Sequence, residues 1–119
     1  MIRSFKDLEV YQESYQLVLD VYQESRKYPR EEQYGLSSQI QRAAVSIPLN
    51  IAEGYGKQDT ASEFKRYLRM ALGSVNEIIV LLDLSRDLGY MDSEKSIELN
   101  EKYSILAKRM YRLIDKWRK

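Results

Sequence analysis

Residues 37–57, which read SSQIQRAAVSIPLNIAEGYGK, are apolar on two sides when they are placed on a helical period. The first side consists of Ile40, Ala43, Ala44, Ile47, Ile51 and Gly54. The second side consists of Val45, Pro48, Leu49 and Ala52. A surface helix normally has one apolar stripe and a broad polar face. This helix therefore needs two packing partners, and in a chain of 119 residues we expect the second to be another copy of the chain.

The composition favours long helices and excludes several kinds of site. Gly and Pro number only 5 and 2, so helix breakers are scarce. The chain has no His, which excludes the usual di-iron site of four-helix bundles, and no Cys, which excludes thiolate zinc sites and disulfides. We find no nucleophile with an adjacent base and no nucleotide-binding glycine motif. We therefore expect no enzyme activity and no cofactor.

Hydrophobic periodicity divides the chain into four helices. The first is predicted from Asp7 to about Lys27, and the second begins at Leu36 or Ser37 and ends near Gly54 and Gly56. The third is predicted from Ala61 to Leu88, and the fourth begins at Asp92 or Ser93. Because the connections are short, we predict an all-α, up-down-up-down antiparallel bundle that forms a single domain over residues 1–119.

Three of the helices have more apolar surface than one packing face requires. On the first helix we predict a principal stripe of Leu8, Tyr11, Tyr15, Leu19 and Tyr22, and a weaker one of Val10, Leu17 and Val21. The third helix has a main face that includes Phe64 and Leu68, and a second side. The fourth helix has a single stripe. The second sides predict an oligomer interface that contains Val45, Leu49, Ala52, Met70 and Leu81.

Local signals mark several helix ends. Ser4 is a candidate N-cap with Asp7 in the first turn, and Thr60 and Glu63 have the spacing of a capping box. Gly89 is placed to end the third helix. Pro48 lies inside the second helix and removes a hydrogen bond to the Ala44 carbonyl, so we predict one continuous helix that bends there.

Basic residues concentrate at one end of the predicted bundle. The topology brings together residues 1–7, 54–69 and 108–119, which are all net basic, and the remainder of the chain is acidic because the net charge is only +1. A cyclic oligomer would repeat this end as a basic rim able to bind phosphates. The candidate nucleic-acid-binding residues are Lys57, Lys65, Arg66, Arg69, Arg112 and Lys116. The alternative is that Lys and Arg simply favour helix C-termini and solvent.

Two further polar or aromatic features have alternative interpretations. The stripe of Arg42, Ser46, Asn50 and Glu53 is either a hydrogen-bonded network within or between subunits, which we favour, or the lining of a pore. The 10 tyrosines fall mostly on apolar stripes, which indicates packing. Tyr55 and Tyr67 lie beside basic residues and are the better candidates for stacking on a base.

Long segments of the chain resemble one bacterial family. The segments are FKDLEVYQESYQLVLDVY near the N-terminus, YGLSSQIQRAAVSIPLNIAEGYGK, EFKRYLRMALGSVNEI, and the LGY of residues 88–90. They are similar to the four-helix-bundle proteins encoded in intervening sequences of 23S ribosomal RNA genes. The resemblance covers nearly the whole chain, although Tyr11 stands where a tryptophan is common in that family.

The resemblance implies a four-helix bundle that assembles as a ring-like homopentamer. A related branch, the accessory variability determinant of diversity-generating retroelements, forms basic pentameric barrels that bind nucleic acid and a reverse transcriptase. This chain departs from that branch because it is almost neutral. No biochemical activity is established for the wider family. The resemblance therefore predicts the fold but does not by itself predict a function.

Together these features predict a noncatalytic homo-oligomer that binds RNA or DNA through a basic rim. The runner-up is a scaffold for a protein partner, such as a reverse transcriptase, with little or no nucleic-acid binding. The N-terminus has no signal-peptide core, and the longest apolar run, around Ile78–Leu82, is far shorter than the ~18 residues of a transmembrane helix. We therefore expect a cytoplasmic protein without membrane contact.

Overall fold

The computed structural model describes residues 1–117 and confirms the predicted all-α four-helix bundle. Its helices are α1 (Glu9–Ser25), α2 (Leu36–Tyr55), α3 (Ala61–Asp87) and α4 (Ser93–Lys116), with 3-10 turns at Phe5–Asp7 and Arg30–Glu32. α2 packs between α1 and α3, α3 packs on α4, and α4 returns to α1. The predicted helix bounds are accurate to about two residues, which is the usual scatter at helix ends.

The predicted stop of α3 at Gly89 is confirmed in detail. Gly89 has φ = +84°, a conformation that glycine adopts without steric strain. The Tyr90 amide donates to the Ser85 carbonyl at 2.8 Å, and the Gly89 amide donates to the Arg86 carbonyl at 3.0 Å. This pair of bonds satisfies the last carbonyls of the helix and turns the chain toward α4.

The predicted N-terminal caps are only partly correct. Ser4 accepts a hydrogen bond from the Lys6 amide, and Asp7 accepts from the amides of Arg3 and Ser4, which lowers the Asp7 pKa. This capping box closes a 3-10 turn ahead of α1. At α3, Thr60 accepts from the Glu63 amide at 3.3 Å, but the Glu63 carboxylate turns to Arg66 instead of closing a second box.

α2 runs as one helix through Pro48, as predicted. Each of the six residues of its first apolar side is buried, from Ile40 to Gly54. Pro48 is also buried, and its ring lies toward α1. The bend between Ala44 and Pro48 stays a prediction.

The prediction of which α1 stripe is the principal one is wrong. The core takes the stripe that we considered weaker, Val10, Leu17 and Val21, together with Leu8. Tyr15 and Leu19, from the predicted principal stripe, keep 52% and 50% of their surface exposed. Tyr15 and Leu19 therefore line a surface groove beside α2, together with the partly buried Tyr11 and Val18.

Buried serines explain this reversal. Ser14 and Ser25 complete the buried stripe of α1, and their hydroxyls donate to the carbonyls of Tyr11 and Tyr22 at 2.9 and 3.4 Å. A serine whose hydroxyl bonds to the preceding turn carries no unsatisfied polar group into the core. A hydropathy pattern counts such residues as polar, so it assigns the core to the wrong stripe.

α2 and α3 approach each other closely at Gly54. A Cβ atom at this position would lie 2.5 Å from Tyr67 Cβ, closer than non-bonded carbons approach, and 3.2 Å from the Phe64 ring, which is a tight contact. Both neighbours are rigidly placed, since Phe64 and Tyr67 are buried on the first turns of α3. Any side chain at position 54 therefore forces the two helices apart.

We predict that Gly54→Ala destabilises the protein by about 1–3 kcal/mol, the usual cost of overpacking a helix contact. Gly73→Ala is the matched control, because nothing lies within 4 Å of its added Cβ. That variant should gain about 0.5–1 kcal/mol from helix propensity. Urea unfolding followed by circular dichroism at one protein concentration measures both, and a Gly54→Ala protein as stable as the wild type would contradict the close approach.

Candidate nucleic-acid interface

An aromatic cluster joins the end of α4 to the junction of α2 and α3. Trp117, which directly follows α4, packs edge-on against Phe64 with ring centroids 4.7 Å apart. Tyr55, the last residue of α2, completes the cluster at 6.0 Å from Phe64 and 6.4 Å from Trp117. The cluster places the α4 C-terminus beside the α2–α3 turn, as the predicted topology requires.

The N-terminus reaches the same end of the bundle. Phe5 lies against Pro48 and Ala52 of α2, and Ile2 and Leu8 line a shallow cleft with Arg112 and Lys116 of α4. The three segments predicted to share one end therefore do so. Arg118 and Lys119, which also belong to the basic C-terminal segment, lie outside the described residues.

The six predicted nucleic-acid-binding residues are exposed or partly exposed. Within residues 1–117, no carboxylate lies within 4.0 Å of the charged groups of five of them. These five are Lys57, Lys65, Arg69, Arg112 and Lys116. Their charges are available to a phosphate at the surface.

Arg66 differs from the other five because it already has a carboxylate partner. Its Nε and Nη2 atoms donate to the two carboxylate oxygens of Glu63, each at 3.2 Å. This bidentate bond raises the Arg66 pKa and lowers the Glu63 pKa. A phosphate would therefore meet a guanidinium whose charge is partly neutralised.

Neither tyrosine that we predicted as a stacking platform offers a free ring. Tyr55 packs within the aromatic cluster. Tyr67 keeps only 8% of its surface exposed, and two cations lie over its ring, Lys57 Nζ at 5.5 Å and Arg66 Cζ at 4.7 Å from the centroid. The stacking hypothesis is not supported for either ring, because Lys57 and Arg66 lie over Tyr67 and because Phe64 and Trp117 pack against Tyr55.

The polar stripe of α2 forms hydrogen bonds within the chain. Ser46 Oγ lies 2.6 Å from Ser74 Oγ of α3, and Asn50 Nδ2 donates to the Ser46 carbonyl at 2.9 Å. Glu53 accepts a hydrogen bond from the Tyr67 hydroxyl at 3.3 Å, whereas Arg42 is exposed. These contacts support the interpretation as a polar network and tie α2 to α3.

The predicted interface residues fall into three environments. Val45, Leu49 and Ala52 line the groove between α1 and α2, where Leu49 is 60% exposed, and Met70 is exposed on α3. Leu81 was wrongly placed on the interface, since it is only 5% exposed. It belongs to the hydrophobic core of a single chain.

At the opposite end of the bundle, the Glu32 carboxylate forms two hydrogen bonds that the sequence did not indicate. Glu32 Oε1 accepts from the Leu36 amide at 2.9 Å and so caps α2, while Glu32 Oε2 accepts from the Tyr90 hydroxyl at 3.0 Å. The bond to the carboxylate raises the Tyr90 pKa. The partners are 58 residues apart in the chain, which is why no local pattern revealed them.

Within the described residues 1–117, no helix is long and apolar enough to cross a membrane. The same part of the chain contains no group of three or more His, Cys, Asp or Glu side chains arranged to hold a metal ion.

Comparison with known proteins extends the resemblance noted in the sequence. The family described as 23S rRNA-intervening sequence protein matches residues 6–112. Among solved structures, the chain is similar to a protein with unknown function from the S23 ribosomal protein family of Bacteroides thetaiotaomicron VPI-5482, with a TM-score of 0.78. The two are 23% identical over 90% of this chain and 99% of that one, a likeness that shows the shared fold. No curated protein matches the chain significantly.

We predict that Trp117→Ala releases the last turn of α4 from the α2–α3 junction. The loss should be about 2–3 kcal/mol, less than for a fully buried aromatic because Trp117 is partly exposed. Tyr111→Ala is the control, since that ring is exposed on the same helix, and it should change stability by under about 0.5 kcal/mol. Equal effects of the two substitutions in urea unfolding would show that the cluster does not anchor α4.

Proposed function

Because the chain belongs to the 23S rRNA-intervening sequence protein family, we propose that it is a noncatalytic, homo-oligomeric accessory protein that binds RNA or DNA through cations at one end of its bundle. The observation that carries this proposal is the aromatic cluster, which brings Arg112 and Lys116 of α4 to the end that holds Lys57 and Lys65. Cations from distant parts of the sequence thus lie at one end of the bundle, and phosphate contacts of such cations dominate nonspecific nucleic-acid affinity.

The groove between α1 and α2 supports assembly with further copies. Its lining is almost entirely apolar: Phe5, Tyr11, Tyr15, Val18, Leu19, Val45, Pro48, Leu49 and Ala52. Exposed apolar surfaces of this kind, when contiguous, mark interaction sites. A bundle that leaves Tyr15 and Leu19 of α1 half exposed beside apolar residues of α2 therefore has a surface suited to a partner.

A second exposed apolar surface lies on α3. We call it the α3 ridge, and it consists of Val80, Leu84 and the C-cap residue Leu88, which are spaced by four residues, with Met70 nearer the start of the helix. The α1–α2 groove and the α3 ridge are different surfaces, so a contact between them is head-to-tail and closes into a ring when the rotation permits. Such a ring repeats the basic end around one rim, and the family resemblance leads us to expect five copies.

The noncatalytic part of the proposal rests on side-chain chemistry. With no His and no Cys, the chain lacks the residues that most often act as general base and thiol nucleophile. The exposed cations are suited to binding an anion and not to transferring a proton near neutral pH.

The second candidate function is a scaffold for a protein partner, and the apolar groove favours it. A protein such as the reverse transcriptase suggested by the family resemblance would cover the groove with an apolar helix face. In that case the cationic end would contribute little to function.

We predict that Leu49→Glu dissociates the assembly while the helices persist, because it places a charge in the centre of the apolar groove. Light scattering should give several chains for the wild type and the 14.1 kDa single chain for the variant. Ile97→Glu, an equally drastic change at an exposed position of α4 outside both surfaces, should leave the mass unchanged. A wild type that is monomeric at micromolar concentration would contradict the oligomer.

We also predict that neutralising Lys65 and Arg69 together weakens RNA and DNA binding and lowers its salt dependence. Each phosphate contact contributes about 0.7–0.9 to the slope of log affinity against log salt, so Lys65→Gln with Arg69→Gln should reduce the slope by about 1.4–1.8 per chain involved.

The matched control neutralises two exposed cations at the opposite end, Arg26→Gln with Arg30→Gln, and should leave affinity and slope unchanged. Equal effects of the two pairs would place the binding surface elsewhere. Absence of wild-type binding at low salt would favour the protein scaffold.

A further inference from the structure

Among the tyrosines of the described residues, Tyr67 alone has cations positioned over its ring, and it has two of them. Lys57 Nζ lies 5.5 Å and Arg66 Cζ lies 4.7 Å from its centroid. Both distances are within the range of cation–π attraction. Lys57 follows the end of α2 and Arg66 is on the first turns of α3, so the ring connects two of the predicted phosphate-binding residues across the α2–α3 corner.

The surrounding structure fixes the ring in one orientation. Its Cβ abuts Gly54, where a second Cβ would clash at 2.5 Å, and its hydroxyl donates to Glu53 Oε2 at 3.3 Å. With Tyr67 held at both ends, its aromatic face has a defined position at the surface of the corner. The ring is therefore a rigid support and not a mobile side chain.

We propose that Tyr67 is a positioning residue of the nucleic-acid interface, whose electron-rich ring holds the Lys57 ammonium and the Arg66 guanidinium as a pair for the phosphate backbone. This inference rests on the proposed nucleic-acid binding. Long basic side chains lose conformational freedom when they bind a phosphate, and a cation already held in place loses less. Tyr67 thus acts through its neighbours and does not contact the nucleic acid itself.

The arrangement also explains how Arg66 contributes although Glu63 binds it. Glu63 occupies the Nε and Nη2 edge of the guanidinium, while its Cζ atom lies over the ring of Tyr67. These two contacts restrict the position of the group. Lys57, which has no carboxylate within 4.0 Å among the described residues, provides the uncompensated charge of the pair.

The test separates the electronic role of the ring from its packing role. Position 67 is replaced by Phe and then by mono-, di- and trifluorinated Phe, which withdraw electrons from the ring at nearly constant volume. The affinity of the assembled protein for a fluorescent single-stranded RNA of about 30 nucleotides is measured at low salt. Tyr67→Leu is added as a variant that has no ring.

Tyr67→Phe is the reference for the series: it keeps the ring and loses the hydroxyl bond to Glu53, so it should lose less affinity than Tyr67→Leu. Affinity should fall stepwise through the fluorinated series, and Tyr67→Leu should lose about two- to fivefold for each cation released. The same fluorinated series at Tyr34, which is exposed at the opposite end, should leave the affinity for RNA unchanged. Should Tyr67→Leu fail to fold, the fluorinated series still gives the answer.

Affinity that stays constant across Phe and its fluorinated forms would overturn the role of Tyr67 and leave the proposed function intact. A wild type that binds no RNA would instead overturn the proposed function, and the role of Tyr67 with it. The two failures are distinguished by the wild-type measurement alone.

Discussion

The close approach of α2 and α3 at Gly54 determines the arrangement of the whole basic end. Because position 54 has no side chain, Phe64 and Tyr67 can lie directly against α2. Phe64 in turn packs against Trp117, which directly follows α4. This contact brings the C-terminal cations to the α2–α3 turn. Tyr67, one turn further along α3, lies beneath Lys57 and Arg66. One missing Cβ therefore positions both the aromatic cluster and the cation pair.

The sequence predicted the elements that depend on local chemistry. Helix periodicity, the scarcity of breakers and the stop at Gly89 were sufficient for four helices and their order. The prediction failed where a competing side-chain contact, local or distant, decides between two options. Glu63 has the spacing of a capping box, yet Arg66 offers its carboxylate a bidentate, charge-assisted partner. The bond of Glu32 to Tyr90 likewise requires that two loops meet.

The failure on α1 shows a limit of hydropathy patterns in helical bundles. Ser14 and Ser25 are buried because each hydroxyl is satisfied by the turn before it, and two further buried serines, Ser85 and Ser96, bond to carbonyls of α3. Small residues let the helices approach closely, so the core accepts them in preference to Tyr15 and Leu19. The candidate cations were found from the sequence because charge and topology suffice to place them. The role of Tyr67 was not, since it depends on the contact with Gly54.

The central claim, that nucleic acid binds at the end organised by Gly54, is tested most directly by amide hydrogen exchange of the wild-type protein with and without single-stranded RNA at low salt. The account predicts added protection in residues 1–8 and 56–60, which lie at the cationic end, and no change in residues 28–35 and 88–93 at the opposite end. Protection confined to the opposite end, or spread evenly over the chain, would contradict it.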